Sequence, residues 1–117
     1  MCPGWDQENA EGLGRLESSV TSAAPRHGFD LTTIPMPDAV YEGPKRLPAT
    51  YMNFLISNHA VIVPVYGHPQ DAEAVGRIGE FFSDRPTIGL RANALVFACG
   101  AFHCLSQQVP LVGRGEA

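Results

Sequence analysis

The order of apolar and polar residues predicts a chain of short helices and strands. Apolar residues recur every three or four positions between residues 6 and 20, which predicts an amphipathic helix there. Residues 29–34 alternate apolar and polar side chains, as a half-buried strand does, and a proline ends the pattern. A Gly-Pro pair and basic residues between positions 38 and 48 then predict an exposed loop.

The clearest pattern is a pair of apolar segments at residues 51–57 and 60–65, separated by Asn58 and His59. Asparagine tolerates a positive φ better than most residues, so this pair suits the corner of a two-residue hairpin. The second segment is rich in valine and almost continuously apolar. That composition favours a strand that is buried on both faces.

After the hairpin, the spacing of the apolar residues changes to that of a helix. Pro69 and the acidic residues that follow it suit the exposed N–H groups of a helix N-terminus. Apolar side chains then recur every three or four positions, which predicts a helix over residues 70–82. Residues 87–90 are predicted to form a short strand, and residues 94–97 are a second apolar segment.

Composition and charge narrow the functional classes. The chain has 117 residues, 44% of them hydrophobic and 17% charged, which fits a single folded domain. A net charge of −4 with scattered basic residues argues against nucleic-acid binding. Because no segment approaches the roughly 20 apolar residues that span a bilayer, we expect no membrane partner and a cytoplasmic location.

The candidate chemistry lies near the C-terminal end, where Cys104 follows His103 and precedes a polar pair and a proline. A thiolate is a strong nucleophile when a nearby cation or helix N-terminus favours it. Neighbouring side chains on an extended segment point to opposite faces, so adjacency to His103 is weak evidence of activation. Sequence context alone favours a buried, unreactive Cys104.

Disulfide and metal chemistry are both disfavoured by the cysteine pattern. The chain has three cysteines, Cys2, Cys99 and Cys104, an odd number without the spacing of a disulfide framework, so we expect reduced thiols. Cys99, His103 and Cys104 offer three ligands but no Cys-x-x-Cys pair. We therefore predict no metal and no cofactor.

Five segments that occur in a fixed order change the picture of Cys104. They are Ile34-Pro35-Met36-Pro37, Leu47-Pro48-Ala49-Thr50-Tyr51-Met52-Asn53-Phe54, Val61-Ile62-Val63-Pro64, Phe82-Ser83-Asp84-Arg85 and His103-Cys104-Leu105-Ser106-Gln107-Gln108-Val109-Pro110. Together they resemble the C-terminal part of agmatine deiminase, in the bacterial-type peptidyl-arginine deiminase family. The resemblance covers residues 28–112, and its most specific parts are the cysteine motif and the Tyr-Met-Asn-Phe segment.

The resemblance implies an α/β (α+β) fold made of one ββαβ unit plus part of another. Such units build the fivefold pseudosymmetric α/β propeller of the guanidino-group-modifying enzymes, and the predicted hairpin, helix and final strand would form one of them. On this basis residues 28–112 are the deiminase-like propeller portion. Residues 1–27 are expected to form an N-terminal helix and linker with freedom to move, and residues 113–117 a mobile tail.

The resemblance also implies a reaction that needs no cofactor. A cysteine, here Cys104, would attack the guanidinium carbon of a small substrate such as agmatine. Ammonia would leave, and water would resolve the thiouronium intermediate to a ureido product, a step of putrescine and polyamine biosynthesis. The substrate-binding residues are not identified by the sequence.

This sequence departs from the family pattern beside that cysteine. Where the family has Gly-Gly-Gly-Asn-Ile, this chain has Ala98-Cys99-Gly100-Ala101-Phe102, and it contains no His-x-Asp element. The guanidinium-binding carboxylates of the family have no counterpart either. We therefore expect that this chain by itself lacks a complete active site.

Two hypotheses remain open on the sequence. The first is an agmatine-deiminase-like hydrolase that is either part of a longer enzyme or completed by other subunits. The second is a truncated, non-catalytic remnant whose apolar edges serve assembly or binding. In both cases strand edges and a helix face are expected to be exposed, so self-association is predicted.

Overall fold

The computed structural model describes residues 9–110, in which a three-stranded sheet, a helix and the loops around them enclose one hydrophobic core. Helix α1 spans Ala10–Ala23 and continues into a 3-10 turn at Ala24–His27. A hairpin of β1 (Val40–Glu42) and β2 (Lys45–Leu47) follows. The remaining elements are β3 (Leu55–Ile56), β4 (Val61–Val65), α2 (Asp71–Gly79), β5 (Thr87–Arg91) and a 3-10 turn at Leu95–Ala98.

The main sheet has the strand order β3-β4-β5. Strands β3 and β4 are antiparallel, with Leu55 opposite Ile62. Strands β4 and β5 are parallel, with Val63 opposite Gly89, and α2 is the crossover between them. These four elements form the predicted ββαβ unit.

Gly89 allows α2 to lie close against this sheet. A Cβ at that position would lie 3.2 Å from the Val75 side chain on α2 and 3.0 Å from Val65 on β4. One face of the sheet is therefore covered by α2, as the crossover of a parallel strand pair requires. The core residues come from this contact and from the loops around it: Leu47, Tyr51, Val61, Val63, Tyr66, Ala74, Ile78, Ala92, Val96 and Ala101.

The hairpin, the second helix and the final strand confirm the sequence predictions, with shifted limits. The first hairpin strand is shorter than predicted, because only Leu55–Ile56 pairs with β4. Helix α2 ends at Gly79 rather than at residue 82, and β5 continues to Arg91. The predicted helix at residues 6–20 corresponds to α1, although residues 6–8 lie outside the described residues.

Two predictions in the N-terminal part are wrong. Residues 29–34 form no strand, and Phe29 and Leu31 are exposed, since no described strand lies beside them to complete the hydrogen bonds. The predicted loop at residues 38–48 contains the β1–β2 hairpin, in which Gly43 has φ 56° in the turn. The predicted tail at residues 113–117 and Cys2 lie outside the described residues.

The Asp71 carboxylate organises the turn between β4 and α2. Its Oδ2 accepts hydrogen bonds from the backbone N–H groups of Tyr66, Gly67 and His68, at 3.2, 2.7 and 3.0 Å. Its Oδ1 accepts a hydrogen bond from the Tyr51 hydroxyl at 2.8 Å. One side chain at the start of α2 thus joins that helix, the preceding turn and the loop that contains Tyr51.

Burial and this carboxylate change the acidity of two tyrosines. Burial raises the pKa of Tyr51 far above its ordinary value, and the hydrogen bond to Asp71 and its negative charge raise it further. Burial also raises the pKa of Tyr66; the backbone hydrogen bond to Thr50 opposes that shift, and the charge of Asp71 adds to it. Both hydroxyls therefore stay protonated through the neutral and mildly alkaline range.

In the part of the chain that the structure describes, no helix is both long enough and apolar enough to cross a membrane.

We predict that the free energy of unfolding falls above about pH 10, where tyrosine ionises in the unfolded chain but not in the folded one. Each of the two tyrosines should contribute at most about 1.4 kcal/mol per pH unit to this decline, and the contribution is fully present below that pH. Urea unfolding between pH 7 and 11.5 checks this. Tyr51→Phe and Tyr66→Phe should each make the decline shallower, and an unchanged slope in both variants would show the prediction wrong.

Candidate active site

Cys104 lies in an irregular turn at residues 102–105, the cysteine turn, which follows the second 3-10 turn. Its side chain is exposed. The turn is held by its own backbone: Leu105 N–H donates to the Ala101 carbonyl at 3.1 Å, and Ser106 N–H donates to the His103 carbonyl at 3.2 Å. The expectation of a buried Cys104 from sequence context alone is therefore wrong. The thiol is accessible from solvent.

Asn53 binds the cysteine through both ends of its side-chain amide. Its Oδ1 accepts a hydrogen bond from the Cys104 backbone N–H at 3.1 Å. Its Nδ2 donates to the Cys104 Sγ at 2.9 Å. The backbone carbonyl of Asn53 also accepts a hydrogen bond from the His103 N–H at 3.2 Å. Three hydrogen bonds to one residue thus fix the position of the cysteine turn.

This contact gives the sulfur a specific environment. An amide N–H that points at sulfur interacts more strongly with a thiolate than with a thiol, because the hydrogen bond is then charge-assisted. At His103 it is the backbone N–H that joins the network through Asn53. The arrangement therefore combines an accessible nucleophilic atom with a fixed donor.

Sequence reasoning assigned no role to Asn53. The residue lies in the Tyr-Met-Asn-Phe segment, which was among the most specific parts of the family resemblance. That specificity was the available signal, because an asparagine between Met52 and Phe54 has no catalytic pattern of its own. Its partner Cys104 is 51 positions away in the sequence.

Metal binding finds no support in the side-chain arrangement. In residues 9–110, no three histidine, cysteine, aspartate or glutamate side chains are grouped so that they could hold a metal ion. Cys99, His103 and Cys104, the three ligands considered from the sequence, do not form such a group. Cys99 and Cys104 are both free thiols.

Comparison with known proteins identifies the family. The family model of Porphyromonas-type peptidyl-arginine deiminase matches residues 2–110. The chain belongs to this family. The resemblance that was based on the five sequence segments is thereby confirmed.

Individual relatives agree with this membership. Over 62 residues the chain is 47% identical to a predicted agmatine deiminase of Lactococcus lactis subsp. lactis, and the match covers 53% of this chain and 17% of that protein. A predicted arginine deiminase from Porphyromonas gingivalis has a crystal structure that matches with a TM-score of 0.68 and 44% identity, over 71% of this chain and 24% of that one. C. jejuni agmatine deiminase matches with a TM-score of 0.67 and 32% identity, over 74% and 27% of the two chains.

The matched region is a small part of each relative. It spans 17% of the Lactococcus lactis protein and 27% of the C. jejuni enzyme. The structure of this family member is a mixed α/β unit that corresponds to that part. Residues 9–110 do not show the propeller to which the resemblance assigns this unit.

The departures from the family's glycine-rich motif have structural consequences in this chain. Cys99 takes the place of a glycine and has φ 62°, in the left-handed region that glycine favours. Lys45 on β2 approaches its sulfur, with Nζ 3.9 Å from Sγ. Gly100 is retained, and a Cβ there would lie 2.6 Å from the Cys104 Cβ and 3.3 Å from its Sγ.

We predict that Gly100→Ala displaces Cys104 from Asn53, because a contact of 2.6 Å cannot be accommodated without movement. The cost should be about 1–3 kcal/mol of unfolding free energy, together with a changed alkylation rate at Cys104. Urea unfolding and iodoacetamide labelling followed by mass spectrometry measure both.

Gly76→Ala is the matched control for this substitution. A Cβ at Gly76 meets nothing within 4 Å, so alanine in this helix should stabilise the protein by up to about 1 kcal/mol. Its labelling at Cys104 should equal that of the unmodified chain. If Gly100→Ala behaves like Gly76→Ala in both measurements, the close approach does not constrain the cysteine.

Proposed function

We propose that this chain carries the nucleophile of a guanidine-hydrolysing site of the agmatine deiminase type, with Cys104 as the attacking residue. The observation that supports the proposal is the exposed Cys104 sulfur with the Asn53 amide donating to it at 2.9 Å. Membership of the deiminase family supplies the reaction class. Asn53 acts in this site as the group that holds the sulfur.

The proposed reaction proceeds in two halves. The Cys104 thiolate attacks the guanidinium carbon, a C–S bond forms, and one C–N bond breaks as the leaving nitrogen takes up a proton and departs as ammonia. Water then adds to the same carbon, giving one proton to the group that protonated the leaving nitrogen and the second to solvent, and the C–S bond breaks to regenerate the thiolate and release a ureido product. Throughout, the Asn53 N–H remains directed at sulfur and stabilises the charged form at the start and end of the cycle.

The proposed substrate is agmatine, and the proposed process is putrescine and polyamine biosynthesis. A cysteine-to-serine variant of C. jejuni agmatine deiminase has been solved with substrate bound, and it matches this chain with a TM-score of 0.66 and 31% identity. The groups that bind the guanidinium and protonate the leaving nitrogen are expected from other parts of a complete site. We propose a cytoplasmic location and no cofactor.

A second candidate function is that of an assembly module, and one surface favours it. On the sheet face opposite α2, Leu55, Ile62 and Ile88 lie side by side across the three strands, with Leu90 in the next row. Ile88 and Leu90 are each 50% exposed. Parallel strands are ordinarily covered on both faces, so this apolar row suits contact with a second copy.

An amidinium electrophile tests the proposed nucleophile without requiring turnover. We expect 2-chloroacetamidine to label Cys104 faster than it labels glutathione, because the Asn53 amide donates a hydrogen bond to the Cys104 sulfur. Cys104→Ser should lose the label, and Cys99→Ser is the matched control that should retain it. A labelling rate no higher than that of glutathione would contradict an activated nucleophile at Cys104.

Ammonia release from agmatine separates the two candidate functions. Release that Cys104→Ala abolishes and Cys99→Ser preserves supports a hydrolase. A correctly folded chain with no release argues against catalysis by this chain alone. Peptidyl-arginine assayed in parallel distinguishes the two substrate classes of the family.

We predict that the chain self-associates through the apolar row on the sheet. Size-exclusion chromatography with light scattering should give a mass above that of one chain at micromolar concentration. Ile88→Glu should shift the mass towards the monomer, because a carboxylate in this contact is costly to bury. Leu16→Glu, at an exposed leucine of α1, is the matched control and should leave the mass unchanged. A monomer at all concentrations would contradict the prediction.

A further inference from the structure

The loop that carries Asn53 spans residues 48–54, between β2 and β3, and is held in place by the hydroxyls of two buried tyrosines. Tyr51 and Tyr66 lie with their ring centroids 6.0 Å apart, and both are buried. Tyr51 belongs to the loop itself, whereas Tyr66 follows β4 in the turn before α2. The two hydroxyls face different partners and hold the loop at two neighbouring residues.

Tyr66 holds the backbone of Thr50 at both of its polar groups. The Thr50 N–H donates to the Tyr66 hydroxyl oxygen at 3.2 Å, and that hydroxyl donates to the Thr50 carbonyl at 3.1 Å. The next residue in the chain, Tyr51, donates its own hydroxyl to Asp71 at the start of α2. Consecutive residues of the loop are therefore attached to β4 and to α2.

Apart from those of Asn53, the other hydrogen bonds of this loop join only its own residues and the end of β2. Ala49 N–H donates to the Leu47 carbonyl at 2.9 Å, and Met52 N–H donates to the Thr50 Oγ1 at 3.2 Å. Such bonds shape the loop but do not fix its position relative to the sheet. Fixing that position is left to the tyrosine hydroxyls and to apolar packing.

Asn53 follows this anchored stretch by two residues and is the junction with the cysteine turn. All three hydrogen bonds described above between the loop and the turn use Asn53, through its carbonyl, its Oδ1 and its Nδ2. A shift of the loop therefore changes the environment of the Cys104 sulfur.

We propose that Tyr51 and Tyr66 are positioning residues for Cys104, acting through Asn53. Their hydroxyls hold the loop so that the Asn53 amide meets both the backbone N–H and the sulfur of the cysteine. The catalytic meaning of this role rests on the proposed function of Cys104. The positional role itself concerns only the geometry of the thiol.

Tyrosine-to-phenylalanine substitutions test the role of the hydroxyls separately from that of the rings, for two reasons. Phenylalanine preserves the ring and its packing and removes only the hydrogen bonds. Because both tyrosines have a raised pKa, their hydroxyls keep their protons over the range in which a thiol ionises. A changed pH profile of Cys104 alkylation in a Tyr→Phe variant therefore reports the sulfur's environment.

The experiment compares Tyr51→Phe, Tyr66→Phe and the double variant in the full chain carrying Cys2→Ser and Cys99→Ser. Native-state hydrogen exchange is followed at the amides of His103 and Cys104, and iodoacetamide labelling of Cys104 is measured from pH 6 to 10. Asn53→Ala, which removes the direct contact, sets the scale for both measurements.

We expect exchange at the His103 and Cys104 amides to rise about fivefold in each single variant, as for the weakening of one hydrogen bond. The rate of Cys104 alkylation should change in the same direction as in Asn53→Ala. Ile78→Val is the matched control, since it removes one methyl group from a buried residue of α2 and lowers stability while the hydrogen bonds of the loop stay in place.

The proposal is overturned if the tyrosine variants match Ile78→Val in both measurements, because the hydroxyls would then serve stability alone. Neither measurement needs substrate. A Cys104 that reacts with 2-chloroacetamidine no faster than glutathione does would therefore count against the proposed function and leave this test intact. Normal amidinium labelling together with unchanged exchange and alkylation in the tyrosine variants would reject the positioning role and retain the function.

Discussion

The structure depends on one carboxylate at the start of a helix. Asp71 accepts hydrogen bonds from three successive backbone N–H groups and from the Tyr51 hydroxyl. A carboxylate at a helix N-terminus is favoured by the exposed N–H groups and by the helix dipole. Here it also closes the turn after β4, in which Gly67 has φ 83°, and draws a distant loop against the helix. The crossover of the ββαβ unit and the loop beside the cysteine thus share one fixed point.

The path from this carboxylate to the thiol is short and consists of neutral groups. It passes from Asp71 to Tyr51, along two residues of backbone to Asn53, and from the Asn53 amide to Cys104. An amide places a donor at the sulfur without adding a formal charge. A cationic side chain, that of Lys45, approaches the sulfur of Cys99 rather than that of Cys104. The two exposed thiols therefore have different electrostatic surroundings although they are five positions apart.

The parts of the fold that the sequence predicted are those whose signals are local. The valine-rich β4, the Asn58-His59 corner and the helical spacing after Pro69 can each be recognised within a few residues. The β1–β2 hairpin escaped prediction because its strands have three residues each and are largely exposed, so they show no alternation. Residues 29–34 show alternation but have no neighbouring strand in the described part of the chain. Cys104 was found by its motif, whereas its contact with Asn53 depends on tertiary structure.

Cys99, which precedes the cysteine turn, has a left-handed backbone conformation that glycine usually adopts. For a non-glycine residue this conformation costs about 1–2 kcal/mol, so the intrinsic preference of cysteine does not account for it. Its φ of 62° occurs at the end of the second 3-10 turn, next to Gly100, which lies close to Cys104. A glycine adopts this conformation without that cost, so the loop can keep its form with either residue at position 99.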